Sequence, residues 1–95
     1  MVKVYRRREF SIYSGNDGFI VHNTHKEFSQ GHTHITNFNT AKYLIDMSLQ
    51  KQIPYRTSAY LIESLIRLSN DRQYTERLKQ ELVRLQKKKM KKGYN

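Results

Sequence analysis

Apolar and polar residues alternate in the first third of the chain, which is typical of β-strands with one buried face. Residues 10–14 and 19–24 both alternate, and the Gly-Asn-Asp-Gly segment at residues 15–18 between them is a dense turn signal. This pattern predicts a β-hairpin. Residues 26–31 predict a second turn, and residues 32–36 a short third strand. The first third of the chain therefore predicts a three-stranded antiparallel sheet built from two consecutive hairpins.

The register of these hairpins decides which side chains share a face. The first turn predicts that Ser14 pairs with Phe19. A second hairpin centred near Phe28 would place His22 opposite His34. Both registers divide the side chains between the two faces in the same way. The face predicted to be buried carries Phe10, Ile12, Phe19, Val21, Thr33 and Ile35. The face predicted to be open carries Ser11, Tyr13, Ile20, His22, Thr24, His32 and His34.

Helical periodicity begins after the predicted sheet. Residues 39–52 carry apolar side chains on more than one side. A helix of this kind is normally covered on more than one side, so we expect it to be the central helix of the fold. Asn37 or Asn39 is a suitable N-cap, and Pro54 lies just beyond the helix end.

Two further helices are predicted in the second half of the chain. Thr57 or Ser58 is a suitable cap for the first of them, which extends to Leu68. Asn70 followed by Gln73 resembles a capping box and predicts the start of the other. Its apolar positions are Tyr74, Leu78, Leu82 and Leu85. The sequence thus predicts an α+β fold, with a three-stranded antiparallel sheet packed against three helices.

The apolar stripe of the last helix ends before the chain does. We predict one small domain over residues 1–86 and a basic, disordered tail over residues 87–95. Residues 1–9 are also basic, and they either form a flexible arm or begin a further strand, because Val2 and Val4 alternate with polar residues.

The charge balance narrows the classes of partner. The chain of 95 residues has 18 Lys and Arg against 8 Asp and Glu, a formal net charge of +10. Such an excess favours polyanionic partners, namely nucleic acid, an anionic membrane surface or an acidic protein. There is no cysteine, which excludes a disulfide framework and a thiolate zinc finger. No apolar run is long enough to span a membrane, so we expect a cytoplasmic protein. Its abundant Lys, Asn, Ile and Tyr suit a low-GC bacterium or its phages.

Four histidines lie close together in the sequence: His22, His25, His32 and His34. His32 and His34 project from the same face of a strand, and a third histidine on the neighbouring strand could complete a zinc site. The only carboxylate nearby that could orient such ligands is Glu27. We expect these histidines to be solvated or to contact bases, with no bound metal or other cofactor.

The two segments His22-Asn23-Thr24 and His34-Ile35-Thr36 share the pattern His-x-Thr. This pattern resembles the signature of the 2H phosphoesterases, in which two histidines act as general acid and base on a phosphodiester. The resemblance covers six residues. Here the motifs are close together in a short chain, and Asn23 stands where that family favours an apolar residue. A phosphoesterase-like site is therefore a remote alternative, and we predict that the protein is not an enzyme.

Basic and aromatic residues give the leading functional hypothesis, a nucleic-acid-binding protein with DNA preferred over RNA. The residues predicted to contact phosphates are Arg6, Arg7, Arg8, Lys87, Lys88 and Lys89. Those predicted to contact bases are Tyr13, His22, His32 and His34. The layout of a three-stranded sheet followed by a helix is similar to the DNA-binding arms of some transposon integrases and to AP2-type domains, although no motif of either is present.

The alternative hypothesis is a protein–protein module, such as a small inhibitor or adaptor that binds an acidic partner. An exposed apolar patch around Tyr43, Met47 and Tyr60 would favour it. Homodimerisation through the helix predicted at residues 71–86, using its leucines, is a further possibility.

Overall fold

Four antiparallel strands and three helices form the fold in a computed structural model. The structure describes the backbone of residues 1–54 and 56–94, and the side chains of the described residues as far as Lys87. In chain order the elements are β1 (Val2–Arg7), β2 (Phe10–Gly15), β3 (Gly18–Asn23), β4 (His32–Ile35), α1 (Phe38–Gln50), α2 (Ala59–Leu68) and α3 (Arg72–Tyr94). The strands lie in the order β1-β2-β3-β4 in one sheet. The predicted α+β class is confirmed, but the sheet has four strands and not three.

The additional strand is the basic segment at the start of the chain. β1 pairs antiparallel with β2, and the register shifts between Lys3 and Tyr5, which marks a β-bulge. The bulge brings Val2 and Tyr5 to the same face although they are three residues apart, so strict alternation is broken. The rings of Tyr5 and Phe38 pack edge to face, with their centroids 6.0 Å apart. The first residues are therefore an edge strand packed on α1, and not a flexible arm.

The first predicted hairpin is confirmed in its register, since Ser14 lies opposite Phe19. The second register is wrong by two residues, because His22 lies opposite His32 and not opposite His34. The backbone N–H of Asn23 donates to the carbonyl oxygen of Gly31 at 2.9 Å, which closes the loop earlier than the sequence suggested.

A shift of two residues leaves every side chain on its predicted face. On the inner face Phe10, Ile12, Val21, Thr33 and Ile35 are buried, and Phe19 is half-buried. Ser11 is the exception on the open face, because it is fully buried. Its small side chain lies between its cross-strand neighbours Arg6 and His22, which are both longer.

The core lies between the sheet and the helices. α1 and α2 contact the inner face of the sheet, and α3 packs chiefly on α2. The buried apolar residues are Phe10, Ile12, Val21, Ile35, Ala41, Leu44, Ile45, Ile62, Leu65, Leu68, Tyr74 and Leu78. The expected cover on the second side of α1 is only partial, because Met47 is half-buried and Tyr43 is 40% exposed. None of the described helices is long and apolar enough to cross a membrane.

Side-chain caps set the starts of the helices. Asn37 accepts a hydrogen bond from the backbone of Thr40 at the start of α1, and Ser58 accepts one from Leu61 at the start of α2. Both caps are among those predicted. The third prediction is wrong, because the side chain of Asp71 and not that of Asn70 accepts the backbone N–H of Tyr74, at 2.8 Å.

α3 is longer than the predicted helix. Its backbone is helical as far as Tyr94, so it continues into residues 87–95, where the sequence predicts a disordered tail. The division into a domain over residues 1–86 and a tail stays a prediction.

The loop between β3 and β4 is joined to the end of α2 by two side chains. Asn23 is fully buried, and its amide nitrogen donates to the carbonyl oxygen of Leu68 at 2.8 Å while its amide oxygen accepts the N–H of His25 at 2.9 Å. Lys26 Nζ donates to the carbonyl oxygens of Arg67 and Ser69, at 2.9 and 3.0 Å. An amide and a cation thus satisfy the carbonyl groups of Arg67 and Leu68, which the end of α2 leaves without partners, and that of the C-cap residue Ser69.

Tyr74 joins α3 to the end of α1. Its side chain is almost completely buried, and its hydroxyl donates to the carbonyl oxygen of Gln52 at 2.6 Å. Burial raises the pKa of this phenol from 10.0 to about 12, because the phenolate would lose its hydration in the core.

Alkaline solution is therefore expected to destabilise the fold through Tyr74. The stabilisation from its raised pKa is fully present below the unfolded pKa of 10.0 and is lost as the pH rises toward about 12. In that window the free energy of unfolding should fall by about 1.4 kcal/mol per pH unit from this group. Urea unfolding measured at several pH values checks this result, with Tyr74→Phe as the control. An equally steep fall in that variant would show that other groups are responsible.

Candidate nucleic-acid interface

Two rows of side chains cross the open face of the sheet, each with one residue from every strand. Lys3 pairs with Tyr13, Tyr13 with Ile20, and Ile20 with His34. The second row consists of Arg6, Ser11, His22 and His32. Both rows have a cation on β1 and a histidine on β4. The register of four strands therefore orders the open face from basic at one edge to ring-bearing at the other.

The charge of this face is positive along the strands. Neither Asp nor Glu occurs in any of the four strands, and the nearest carboxylates along the chain belong to the turns, at Glu9, Asp17 and Glu27. Lys3 Nζ lies 5.9 Å from the centroid of the Tyr13 ring, within reach of a cation–π interaction. An anionic ligand would meet no like charge on the strands.

A cluster of rings covers the β3–β4 side of the open face. Phe28, from the loop between these strands, stacks on His32 with the ring centroids 4.4 Å apart and the planes 8° from parallel. The ring centroid of His22 lies 5.2 Å from that of Phe28, and the ring centroid of His34 lies 5.1 Å from that of His32, with the two histidine rings at a steep angle. Phe28 was missed as a candidate from the sequence. The only signal was an aromatic residue within a polar loop, which does not reveal the face that the ring covers.

Backbone hydrogen bonds hold two of these rings in place. His22 Nε2 donates to the carbonyl oxygen of Lys26 at 3.0 Å, and His32 Nδ1 donates to that of Phe28. Each bond fixes the tautomer of its ring and leaves the second nitrogen, Nδ1 of His22 and Nε2 of His32, as the acceptor. Among the residues with described side chains, no group of three or more metal-ligating side chains is placed to hold an ion.

The three consecutive arginines do not act as one patch. Arg6 belongs to the second row, and its Nε donates to the carbonyl oxygen of Arg8 at 3.2 Å. Arg7 points to the other side of β1 and forms an ion pair with Asp46 of α1. Arg8 is the turn residue, with a φ of 54°. Two of the arginines predicted to contact phosphate therefore differ in position. Arg6 lies on the open face beside the predicted base-contacting residues, whereas Arg7 forms an ion pair with Asp46 on the other side of the sheet.

The lysines at the end of the chain come from a different element. Lys87 is exposed on α3. The side chains of Lys88 and Lys89 lie outside the described part of the structure, so their predicted contacts stay predictions.

The two His-x-Thr segments lie on neighbouring strands, but their histidines are not paired across the sheet. His22 lies opposite His32, and His34 lies opposite Ile20. The hydroxyl of Thr24 donates to the backbone of Glu9 at 2.8 Å. Asn23, between His22 and Thr24, is buried at the end of α2. Structural contacts therefore account for much of the first segment.

Tyr43, Met47 and Tyr60 do not form the single apolar patch that the protein–protein hypothesis expected. Tyr43 and Met47 line a cleft of about 850 Å³ between α1 and α3, together with Lys51 and Arg77. Tyr60 lies elsewhere, beside β4, where its hydroxyl donates to the backbone of His34. The apolar surface is thus divided between two places.

The leucines of α3 are used within the chain. Leu78 is fully buried, and Leu82 and Leu85 are partly buried against the core. Val83 is 48% exposed on the same helix. A homodimer through residues 71–86 stays a prediction, but Leu78 could contribute to it only by leaving the core.

Comparison of the chain with protein-family models, with curated proteins and with solved structures found no match.

Proposed function

We propose that this protein is a non-enzymatic nucleic-acid-binding module, with DNA preferred over RNA, that binds its ligand on the open face of the sheet. The observation that carries the proposal is the pair of rows across the four strands, each with a cation on β1 and a histidine on β4. Lys3 and Arg6 supply positive charge where Tyr13, His22, His32 and His34 supply rings.

Each part of this face suits one component of a nucleic acid. Lysine and arginine neutralise phosphates and release condensed counterions, which gives affinity without sequence preference. Tyrosine and histidine rings stack on bases or meet base edges. The phosphate contacts proposed for Lys87, Lys88 and Lys89 would come from α3, which packs chiefly on α2 and not on the open face. Arg7 is not expected to take part, because Asp46 already neutralises it.

The salt dependence of binding tests the role of the β1 cations. With about four to six phosphates neutralised, the logarithmic slope of duplex affinity against salt should be about −4 to −5. The variant with Lys3→Gln and Arg6→Gln should reduce the magnitude of that slope by about 2. Fluorescence anisotropy at several salt concentrations measures it.

The matched control for this experiment lies on α3. Arg77→Gln with Lys79→Gln removes the same two charge types from exposed positions away from the sheet, and should change the slope little. Equal changes in both double variants would show that net charge, and not the open face, determines binding. Failure of duplex and single-stranded probes to bind even at low salt would end the proposal.

The second candidate function is the binding of an acidic protein segment. The surface that favours it is separate from the open face of the sheet. The cleft between α1 and α3 combines the exposed Tyr43 with the cation of Arg77. Lys51 also lines the cleft, but its Nζ lies 3.9 Å from a carboxylate oxygen of Asp71, and Glu81 in the cleft is paired with Arg84. An acidic segment with an apolar anchor would match these groups. This function leads if no nucleic-acid probe binds.

A further inference from the structure

We infer that the ligand of the open face is a single strand of nucleic acid whose bases stack on Phe28 and His34. The inference rests on the proposed function and names its ligand class. It assigns Phe28 as a binding residue, and it places a duplex second to a single strand.

The width of the sheet argues against its insertion into the major groove of a DNA duplex. Neighbouring strands lie about 4.8 Å apart, so the outer strand axes of a four-stranded sheet are about 14 Å apart. The major groove of B-DNA is about 12 Å wide and admits a helix or a two-stranded ribbon. All four strands contribute to the rows of the open face. A duplex would have to widen or bend its groove to admit this face, so an undeformed duplex would meet it mainly through phosphates and would leave most rings without base partners.

The ring cluster presents surfaces that stack on unpaired bases. Phe28 is 40% exposed and is supported from beneath by the parallel ring of His32. His34 is exposed at the end of the first row, and its ring centroid lies 5.1 Å from that of His32 at a steep angle. Aromatic rings stack on bases of any identity, because every base has a π-face. In a duplex those faces are already covered by neighbouring base pairs.

The cations and the ring cluster lie at opposite edges of the sheet, as the phosphates and the bases lie on opposite sides of a single-stranded nucleic acid. Lys3 and Arg6 lie on β1, at the opposite edge of the sheet from β4, where His34 lies. A single strand can turn its phosphates toward β1 and its bases toward β3 and β4. The hydrogen bonds that hold His22 and His32 to the backbone keep the stacking surface in place before the ligand arrives, which lowers the entropic cost of binding.

Anisotropy titrations with three probes of about 10 nucleotides test the inference, namely oligo-dT, oligo-rU and a DNA duplex of the same length. Phe28→Ala should weaken binding of the single strands about 10-fold, the usual effect of losing one stacked base. Duplex binding should change much less, because it depends on phosphates. Tyr43→Ala is the matched control, since Tyr43 is also 40% exposed but lies in the cleft between α1 and α3.

Each outcome of this experiment decides one point. Tighter binding of the duplex than of both single strands, or equal losses with Phe28→Ala and Tyr43→Ala, would overturn the inference while leaving the proposed function intact. No binding of any probe at low salt would overturn both. His34→Ala is the second variant, and it should also weaken single-strand binding selectively if thermal melting shows that Phe28→Ala disturbs the loop. A preference between oligo-dT and oligo-rU decides between DNA and RNA as the source of the strand.

Discussion

Truncation of the chain after Asn70 is expected to abolish cooperative unfolding. The truncation removes Tyr74 and Leu78, which are 1% and 0% exposed and belong to the core, and it uncovers the face of α2 on which α3 packs. Two fully buried side chains of this size contribute about 3–6 kcal/mol together. This is comparable with the whole stability of a small domain, roughly 5–15 kcal/mol. Urea unfolding followed by far-UV circular dichroism and by tyrosine fluorescence measures the effect.

The control is a truncation after Gln86, which removes only residues 87–95. Because the apolar stripe of α3 has ended at Leu85, this variant should unfold cooperatively with nearly the same midpoint. If the chain ending at Asn70 unfolds as steeply as the full chain, α3 is peripheral and its buried side chains contribute little.

Replacement of Asn23 is expected to have the next largest effect, a loss of about 2–4 kcal/mol in Asn23→Ala. The amide of Asn23 is fully buried and forms hydrogen bonds with Leu68 and His25. Alanine would leave the carbonyl group of Leu68 without that donor and would open a cavity. The expected result is a lower urea midpoint with an unchanged slope of the free energy against denaturant.

Asn39→Ala is the matched control, because Asn39 is exposed in the first turn of α1. Its free energy of unfolding should stay within about 0.5 kcal/mol of the parent. A loss of less than about 1 kcal/mol in Asn23→Ala would show that water replaces the amide and that the junction with α2 is not a main source of stability.

The sequence predicts much of the fold because several local signals agree. The Gly-Asn-Asp-Gly turn places Ser14 opposite Phe19, and alternation then assigns the faces of the first hairpin. Asn37 and Ser58 are residue types that favour N-cap positions, and both act as caps. In these places the chain needs no distant contact to choose its conformation.

The errors arise where a distant contact or a local irregularity decides. The bulge in β1 breaks the alternation that would have revealed the strand, and the aromatic contact between Tyr5 and Phe38 is not visible from local sequence. The register of the second hairpin follows from the bond between Asn23 and Gly31 and from the burial of Asn23 under α2. Turn propensity alone does not contain that information.

The candidate site was predictable in its chemistry and less so in its arrangement. The parity of the strands is sufficient to place Tyr13, His22, His32 and His34 on one face. The rows that link Lys3 to His34 and Arg6 to His32 depend on β1. The sequence did not decide whether this segment is a strand or a flexible arm. The position of Phe28 above His32 depends on the conformation of a loop. The neutralisation of Arg7 by Asp46 depends on packing across 39 residues of chain.

β1 is an edge strand, so one side of its backbone has no partner within the sheet. Such an edge, here with Val2 and Val4 exposed, can pair with the edge of another molecule and begin aggregation. The bulge and the cations of Lys3 and Arg6 oppose this, because pairing two copies edge to edge would bring like charges together. Variants that neutralise Lys3 and Arg6 therefore weaken a safeguard against self-association. Gel filtration of these variants must come before any loss of affinity is attributed to lost phosphate contacts.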